Sequence, residues 1–324
     1  MKKNIAIIMG GYSSEVAISL KSGNVVYQHI DTSKFNPYCI HILKEGWFLV
    51  EDEQKFPVNK HDFSVDFKGN KLTFDCVFNA IHGAPGENGV ILAYFDLLGI
   101  KHTSAPFYQM ALTFNKRDTL SILRKYDIPT AISVYLNQGE TVDVDTIIKK
   151  VGLPCFVKPN NAGSSFGISK AHTKEDILPA IEKAYKEDSE ILIESFLDGK
   201  EVSVGVIQCK DETIVLPITE IVSENDFFDY EAKYEGKSQE ITPARLTSEE
   251  ESKVREVAKK VYTVLNMSGF SRSEYIFVNG VPHFLEMNTV PGLTEESILP
   301  QQAQEAGISL TELFGNAIES SLNS

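Results

Sequence analysis

VKPNNAGSSFGISK, residues Val157 to Lys170, has the glycines and serines of a loop that grips phosphate, yet its lysine precedes the loop instead of sitting in it. A P-loop needs G-x-x-x-x-G-K-[ST]. The chain's Gly236-Lys237-Ser238 has Glu231, not glycine, five residues before Gly236, so it does not qualify. Gly163-Ser164-Ser165-Phe166-Gly167 matches G-x-S-x-G, the elbow that presents a serine nucleophile. An elbow requires a helix directly after it. Here Ile168 to Ala171 reads as extended, and the next helix signal is Thr173. What remains is a β-hairpin loop whose N–H groups and serines fold over phosphate, with Lys158 on the strand before it, or else an ordinary turn.

Around this stretch the chain reads as alternating strands and helices. Ile5 to Met9 is a short buried strand that turns at Gly10-Gly11 into a helix over Val16 to Ile30, and a strand at Cys76 to Phe78 leads to a helix through Phe95 to Leu98. Such alternation predicts an open α/β sheet with ligand loops at its strand ends. Residues 107 to 126 read as helical. Strands follow at Ile132 to Tyr135, Cys155 to Lys158 and Ile191 to Glu194, with a helix near Asp176 to Tyr185 capped by Thr173. Longer strands are expected at Glu201 to Cys209 and Thr213 to Glu220. Ser248-x-x-Glu251 reads as a capping box for a helix carrying Val254, Val257, Ala258, Val261 and Leu265 on one face, and the chain closes with a helix over Thr311 to Ser320.

With 324 residues the chain exceeds one compact core. Its net charge of −14 argues against a nucleic-acid partner, which needs a basic face. The longest apolar runs fall short of a membrane span. Cys39, Cys76, Cys155 and Cys209 form no C-x-x-C pair and read as reduced thiols. The apolar run after Lys2-Lys3 is too short for a signal peptide, so a cytoplasmic protein is expected. His29, His41, His61, His102, His172 and His283 show no zinc spacing and read as surface or packing residues.

Further along, His283 to Gly292 reads HFLEMNTVPG. Glu286 and Asn288 lie two residues apart, on one face of a strand, with Glu274 on the strand expected to pair with it. Two carboxylates and an amide oxygen suit a hard cation such as Mg²⁺, and a solvated strand face is the alternative. Phe227 to Tyr234, FFDYEAKY, reads as a lid. In Gly10 to Glu15, GGYSSE, a glycine turn meets a helix start, where Glu15 suits an ammonium group or simply complements the helix dipole.

GGYSSE, NAIHGAPGENG, VKPNNAGSSFGISK, LIESFLDGKEVSV, FFDYEAKY, SRSEY and FLEMNTVPGLTEES, in this order over nearly the whole chain, resemble the D-alanine–D-alanine ligases of the ATP-grasp superfamily. The resemblance implies a mixed α/β, three-domain architecture: an N-terminal substrate domain at 1–104, a central subdomain at 105–193 with the glycine-rich flap, and a C-terminal domain at 194–324 with lid and metal site. The two β-rich domains would sandwich ATP. It implies ADP-forming ligation of two D-alanines through an acyl phosphate, for peptidoglycan precursors, with two Mg²⁺ (Mn²⁺ as the alternative) and a homodimer without nucleic-acid or membrane partners.

By position, Lys116, Lys158, Ser164 and Ser165 would meet the ATP phosphates. Glu194, Ser195, Phe196 and Leu197 would form the adenine hinge, Glu201 would take the ribose, and Lys233 would reach the γ-phosphate. Glu15 would bind the first D-alanine's ammonium, linked through Ser164 to Tyr234, with His82 near its carboxylate. Arg272, Gly292, Ser297 and Ile298 would line the second D-alanine and its oxyanion. Glu274, Glu286 and Asn288 would hold metal. Four positions depart from the family pattern: Glu274 replaces aspartate, Ser195 replaces the hinge lysine, HGAPGENG replaces an HGRGGEDG-like loop, and Asn115 stands where aspartate often precedes Lys116. Three rival readings are a D-lactate ligase, which Tyr234 disfavours, a non-catalytic ATP-binding module, and a serine hydrolase using Ser164.

The hairpin fixes the facing of the acidic residues. A two-residue turn at Asn279-Gly280 would pair Glu274 with Leu285 and turn Glu286 away. The expected form is therefore a three-residue loop, Val278 to Gly280, with Glu274 opposite Phe284, Arg272 opposite Glu286, and Gly280 at positive φ.

Overall fold

A computed structural model describes residues 2–161, 163, 166–209, 212–223 and 238–323. Three sheets organise them. The first has eight strands, in the order Asn70–Leu72, Ser64–Phe67, Gln54–Asn59, Gly46–Glu51, Phe35–Leu43, Lys3–Gly10, Cys76–Asn79, Lys101–His102. Its central strand Lys3–Gly10 runs parallel to both neighbours, and Ile5 to Met9 is wholly buried, as expected for an apolar run covered on both faces. The helix Val16–His29 starts where that strand ends, so the Gly10 to Glu15 turn lies at the carboxyl edge of the sheet, where ligands of open α/β sheets bind.

The second sheet is antiparallel, ordered Ser169–Ala171, Cys155–Pro159, Glu190–Ser195, Ser133–Asn137. Two helices, Val144–Val151 and Lys174–Ala184, close a separate core of Val157, Ile177, Ile181, Ile191 and Ile193 against it. Thr173 caps the second helix in a capping box with Asp176. Extended Ser169–Ala171 follows the glycine loop directly, so the strand–loop–strand form holds and a serine elbow, which needs a helix there, does not.

The third sheet runs Ser238–Ile241, Thr219–Ser223, Lys200–Cys209, Ser271–Val278, Val281–Asn288, with Glu212–Val215 also paired to Lys200–Cys209. One face packs Val202, Val204 and Tyr275 under the helix Ser248–Val264, through Val254, Ala258 and Val261. The other face is left for the site.

Several boundaries differ from the sequence reading. The helical stretch 107–126 is two helices, Phe107–Phe114 and Lys116–Lys125, because Asn115 is extended and its Oδ1 accepts from Asp118 N at 3.0 Å, capping the second. The run Thr213 to Glu220 is two strands with a break at 216–218. The capping box is one residue earlier than expected: Thr247 with Glu250, not Ser248 with Glu251. The last helix is longer, Leu310–Asn323. Among the described residues no helix is long and apolar enough to cross a membrane.

The hairpin also corrects the expectation. Val278 pairs with Val281, so the loop is the two-residue turn Asn279-Gly280, both at positive φ (51° and 74°). The register shifts instead between Glu274 and Tyr275: Tyr275 pairs with Phe284 and Glu274 with Glu286, which leaves Leu285 as the extra residue of a bulge. Arg272 faces Asn288, not Glu286. The shared face of Glu274 and Glu286 was right, but its cause was not.

Candidate active site

A cleft of about 420 Å³ opens where the three sheets converge. Its wall includes Glu15 and His82 from the first sheet's edge, Lys116 from the helix Lys116–Lys125, and Arg272, Glu286 and Asn288 from the third sheet.

Glu15 immediately precedes the helix Val16–His29. An ideal Cβ on Gly163 would stand 3.2 Å from Glu15 Oε2, so the glycine loop meets the carboxylate at contact distance. His82 is buried, with Nε2 2.9 Å from Ser22 Oγ, and Leu293 N donates to the same hydroxyl at 3.3 Å. This bridge ties the first domain's helix to the 290–293 turn. Burial lowers the His82 pKa, against a smaller upward pull from Glu15, so the ring is biased toward neutrality.

On the third sheet, Arg272 Nη1 donates to Glu274 Oε1 at 2.6 Å and to Ser203 Oγ at 3.0 Å. Burial presses on the guanidinium, but Glu274, Glu286 and Glu240 outweigh it and hold its pKa up. Glu286 Oε2 lies 3.4 Å from Lys116 Nζ. Asn288 Oδ1 accepts from Val290 N at 3.0 Å, which leaves that oxygen a second lone pair. Among the described residues no group of three or more His, Cys, Asp or Glu is arranged to hold a metal. The oxygen set here is two glutamates and an amide, with a cationic side chain beside each glutamate.

Gly292 and Ser297 are close neighbours: a Cβ on Gly292 would come within 2.6 Å of Ser297 Oγ. Ser297 starts the helix Ile298–Glu305, and its hydroxyl lies 2.8 Å from Thr294 Oγ1. Ile298 is buried against Ile221.

A second group lies along the middle sheet. Lys158 Nζ is 2.7 Å from Glu194 Oε2, both buried, and 5.5 Å from the Phe156 ring centre. Desolvation of Lys158 is outweighed by Glu194, Glu286 and Glu201, and its pKa is raised. Phe156 and Phe196 are 6.2 Å apart, with Lys170 Nζ 4.4 Å over the Phe196 ring. Ser195 Oγ accepts from Ile132 N at 3.0 Å. Leu197 and Glu201 are half-buried beside them. Ser164, Ser165, Lys233 and Tyr234 lie outside the described residues.

Two carboxylates escaped the sequence reading. Glu87, within HGAPGENG, lines the cleft and accepts from Gly83 N at 3.0 Å; burial, then Glu15, pushes its pKa to about 7. Its place in the quoted loop was the available signal. Glu240 also lines the cleft, with its pKa raised by burial and by Glu274 against the pull of Arg272. It follows a long polar run, and no spacing marks it.

The model for the D-ala D-ala ligase N-terminus matches residues 4–105, and that for the C-terminus matches 122–319. A D-alanine–D-alanine ligase of Flavobacterium johnsoniae is 65% identical over 321 residues, covering 99% of each chain. The solved VanG D-Ala:D-Ser ligase of Enterococcus faecalis is 30% identical with a TM-score of 0.87, covering 99% of this chain and 100% of that one. A D-alanine–D-alanine ligase of Bacillus anthracis solved with ATP is 27% identical with a TM-score of 0.80, covering 99% and 98%. The chain belongs to the D-alanine–D-alanine ligase family, with the ATP-grasp fold.

Proposed function

We propose that the chain joins two D-alanines at the expense of ATP, giving D-alanyl-D-alanine, ADP and phosphate. The observation that carries this reading is the cleft itself. It gathers a carboxylate for an ammonium (Glu15), an arginine (Arg272) and the oxygen donors Glu286 and Asn288, with Glu274 buried and bonded to Arg272, beside a lysine-bearing nucleotide wall.

Lys116 and Lys158 neutralise ATP phosphates, and Phe156, Phe196 and Leu197 flank the adenine, with Glu194 and Ser195 at its edge and Glu201 at the ribose. Glu15 holds the first D-alanine by its ammonium, with His82 near its carboxylate. That carboxylate attacks the γ-phosphate to form an acyl phosphate. Lys233, Ser164 and Ser165 complete the phosphate grip by resemblance, and Tyr234 the link to Glu15. The second D-alanine lies against Gly292, Ser297 and Ile298. Its amine attacks the acyl carbon, and Arg272 with the Gly292 N–H stabilises the oxyanion. Glu274, Glu286 and Asn288 are the oxygen donors for two Mg²⁺ or Mn²⁺. Their hard oxygens fit such ions, and the cations now beside each glutamate mark where positive charge is wanted. When bound, the ions neutralise charge on the transferring phosphoryl group.

The working limits of the domains are 1–104, 105–193 and 194–324, the last falling inside the strand Glu190–Ser195. The reduced thiols and the acidic charge support action in the cytoplasm, and the family resemblance supports a homodimer. The test is phosphate release from ATP and Mg²⁺ with single D-amino acids and with D-lactate. Release with D-alanine alone, matched by dipeptide, is expected. Equal release with L-alanine contradicts the reading.

A further inference from the structure

The second amino acid arrives as a zwitterion. Its ammonium has no lone pair and must lose a proton before it attacks the acyl carbon. The cleft's other carboxylates are engaged elsewhere: Glu15 holds the first ammonium, Glu87 accepts from Gly83 N beside Glu15 at the first-substrate end, Glu274 and Glu286 face the metal, and Glu201 lies by the ribose.

The sheet register supplies a candidate. Glu240 pairs with Ile221, and Ile221 with Glu201. Ser203, two residues along from Glu201 and so on the same face, pairs with Glu274, which in turn faces Glu286. Glu240 therefore projects from the same face as the acidic pair, into the same cleft. Its position along the cleft is set by Ile221, which packs against Ile298, next to Ser297. Glu240 thus stands at the end assigned to the second amino acid. Arg272 attracts it but bonds to Glu274 and Ser203 instead, so the Glu240 carboxylate is not the arginine's direct partner. Its partial burial makes a charged partner there worth more than in water.

We propose that Glu240 receives the ammonium of the second D-alanine and takes its first proton. This rests on the ligase reading and on the second-substrate end given above. The freed amine forms the C–N bond at the acyl carbon, and the C–O bond to phosphate breaks with its electron pair leaving on phosphate. The second N–H proton departs with that phosphate. Glu240 returns its proton to solvent after the dipeptide leaves.

Hydroxylamine separates this role from the rest of the reaction. It is largely unprotonated at neutral pH and traps an acyl phosphate as the hydroxamate without needing a base. Dipeptide synthesis and D-alanine hydroxamate formation are measured side by side with ATP and Mg²⁺, for the full chain, for Glu240→Gln, and for Glu296→Gln, an exposed carboxylate at the same end. For Glu240→Gln the expected result is a fall of about 10²-fold in kcat/KM for the second D-alanine, with hydroxamate formation within about threefold of the parent. Glu296→Gln should leave both rates near the parent's. An unchanged dipeptide rate in Glu240→Gln overturns the proposal. An equal loss of both rates also overturns it, because Glu240 would then act only through the fold or through Arg272. A selective loss in Glu296→Gln instead assigns the role to Glu296. If the parent chain makes neither product, the ligase reading itself fails, and that outcome is visible before any variant is compared.

Discussion

Glu274 and Glu286 stand directly opposite each other across an antiparallel strand pair, although the two-residue turn joining the strands would by itself put them on opposite faces. The bulge at Leu285 absorbs one residue and restores the parity. The two carboxylates thereby leave the same face of the sheet at paired positions. Arg272 bonds to one and Lys116 lies beside the other. A facing acidic pair is costly unless cations share it, and Arg272 and Lys116 supply that charge.

Glu286→Gln keeps the shape and removes one charge. Its side chain is about one-third exposed, so the fold should survive. We expect kcat to fall at least ~10²-fold, the scale of losing one preorganised electrostatic element. Steady-state kinetics at saturating Mg²⁺ check this, and a near-normal rate removes the metal role.

The turn makes a separate prediction about stability. Gly280 is at φ 74° with nothing within 4 Å of an added Cβ, so Gly280→Ala strains only the backbone. A loss of about 1 kcal/mol in urea unfolding is expected, with catalytic rates unchanged. A lost Mg²⁺ dependence would mean that the turn, not the bulge, sets the facing of Glu286.

Lys158 and Glu194 form a buried pair. Lys158→Met leaves a carboxylate without its cation and should cost about 3 kcal/mol. Adding Glu194→Met should recover most of that stability. The KM for ATP should stay elevated in both variants, because the phosphate charge is still missing. Recovery of ATP affinity in the double variant would show that Lys158 serves packing alone.

Glu87 links stability to pH. Its folded pKa, about 7, lies above the ordinary glutamate value of 4.5. The folded state therefore binds the proton more tightly, and stability falls as pH rises between those values, levelling off above about 7. Glu87→Gln removes the dependence. Without substrates it should be more stable than the parent by about 3 kcal/mol at pH 8, with the gap closing near pH 4. Denaturant unfolding at both pH values checks it. A gap of the same size at pH 4 would assign the effect to packing.

Much of this was legible in the sequence because the decisive signals are local. The strand–glycine–helix start at Gly10, the loop after Lys158 and the alternation of Glu286 and Asn288 each need only a few residues. The bulge at Leu285 was not legible, since it depends on how Tyr275 packs against Phe284 across the sheet. The same holds for Glu240, which reaches the cleft only through the pairing of three strands. Asn115 divides a helix that periodicity runs together, because its cap bond competes with a continuous turn.

The central claim is that a D-alanine carboxylate attacks the γ-phosphate. The direct measurement follows ¹⁸O from D-alanine labelled in its carboxylate during dipeptide synthesis with unlabelled ATP. An acyl phosphate requires one labelled oxygen to appear in inorganic phosphate, with ADP as the nucleotide product. Label in AMP, or phosphate free of label while dipeptide accumulates, would contradict the account.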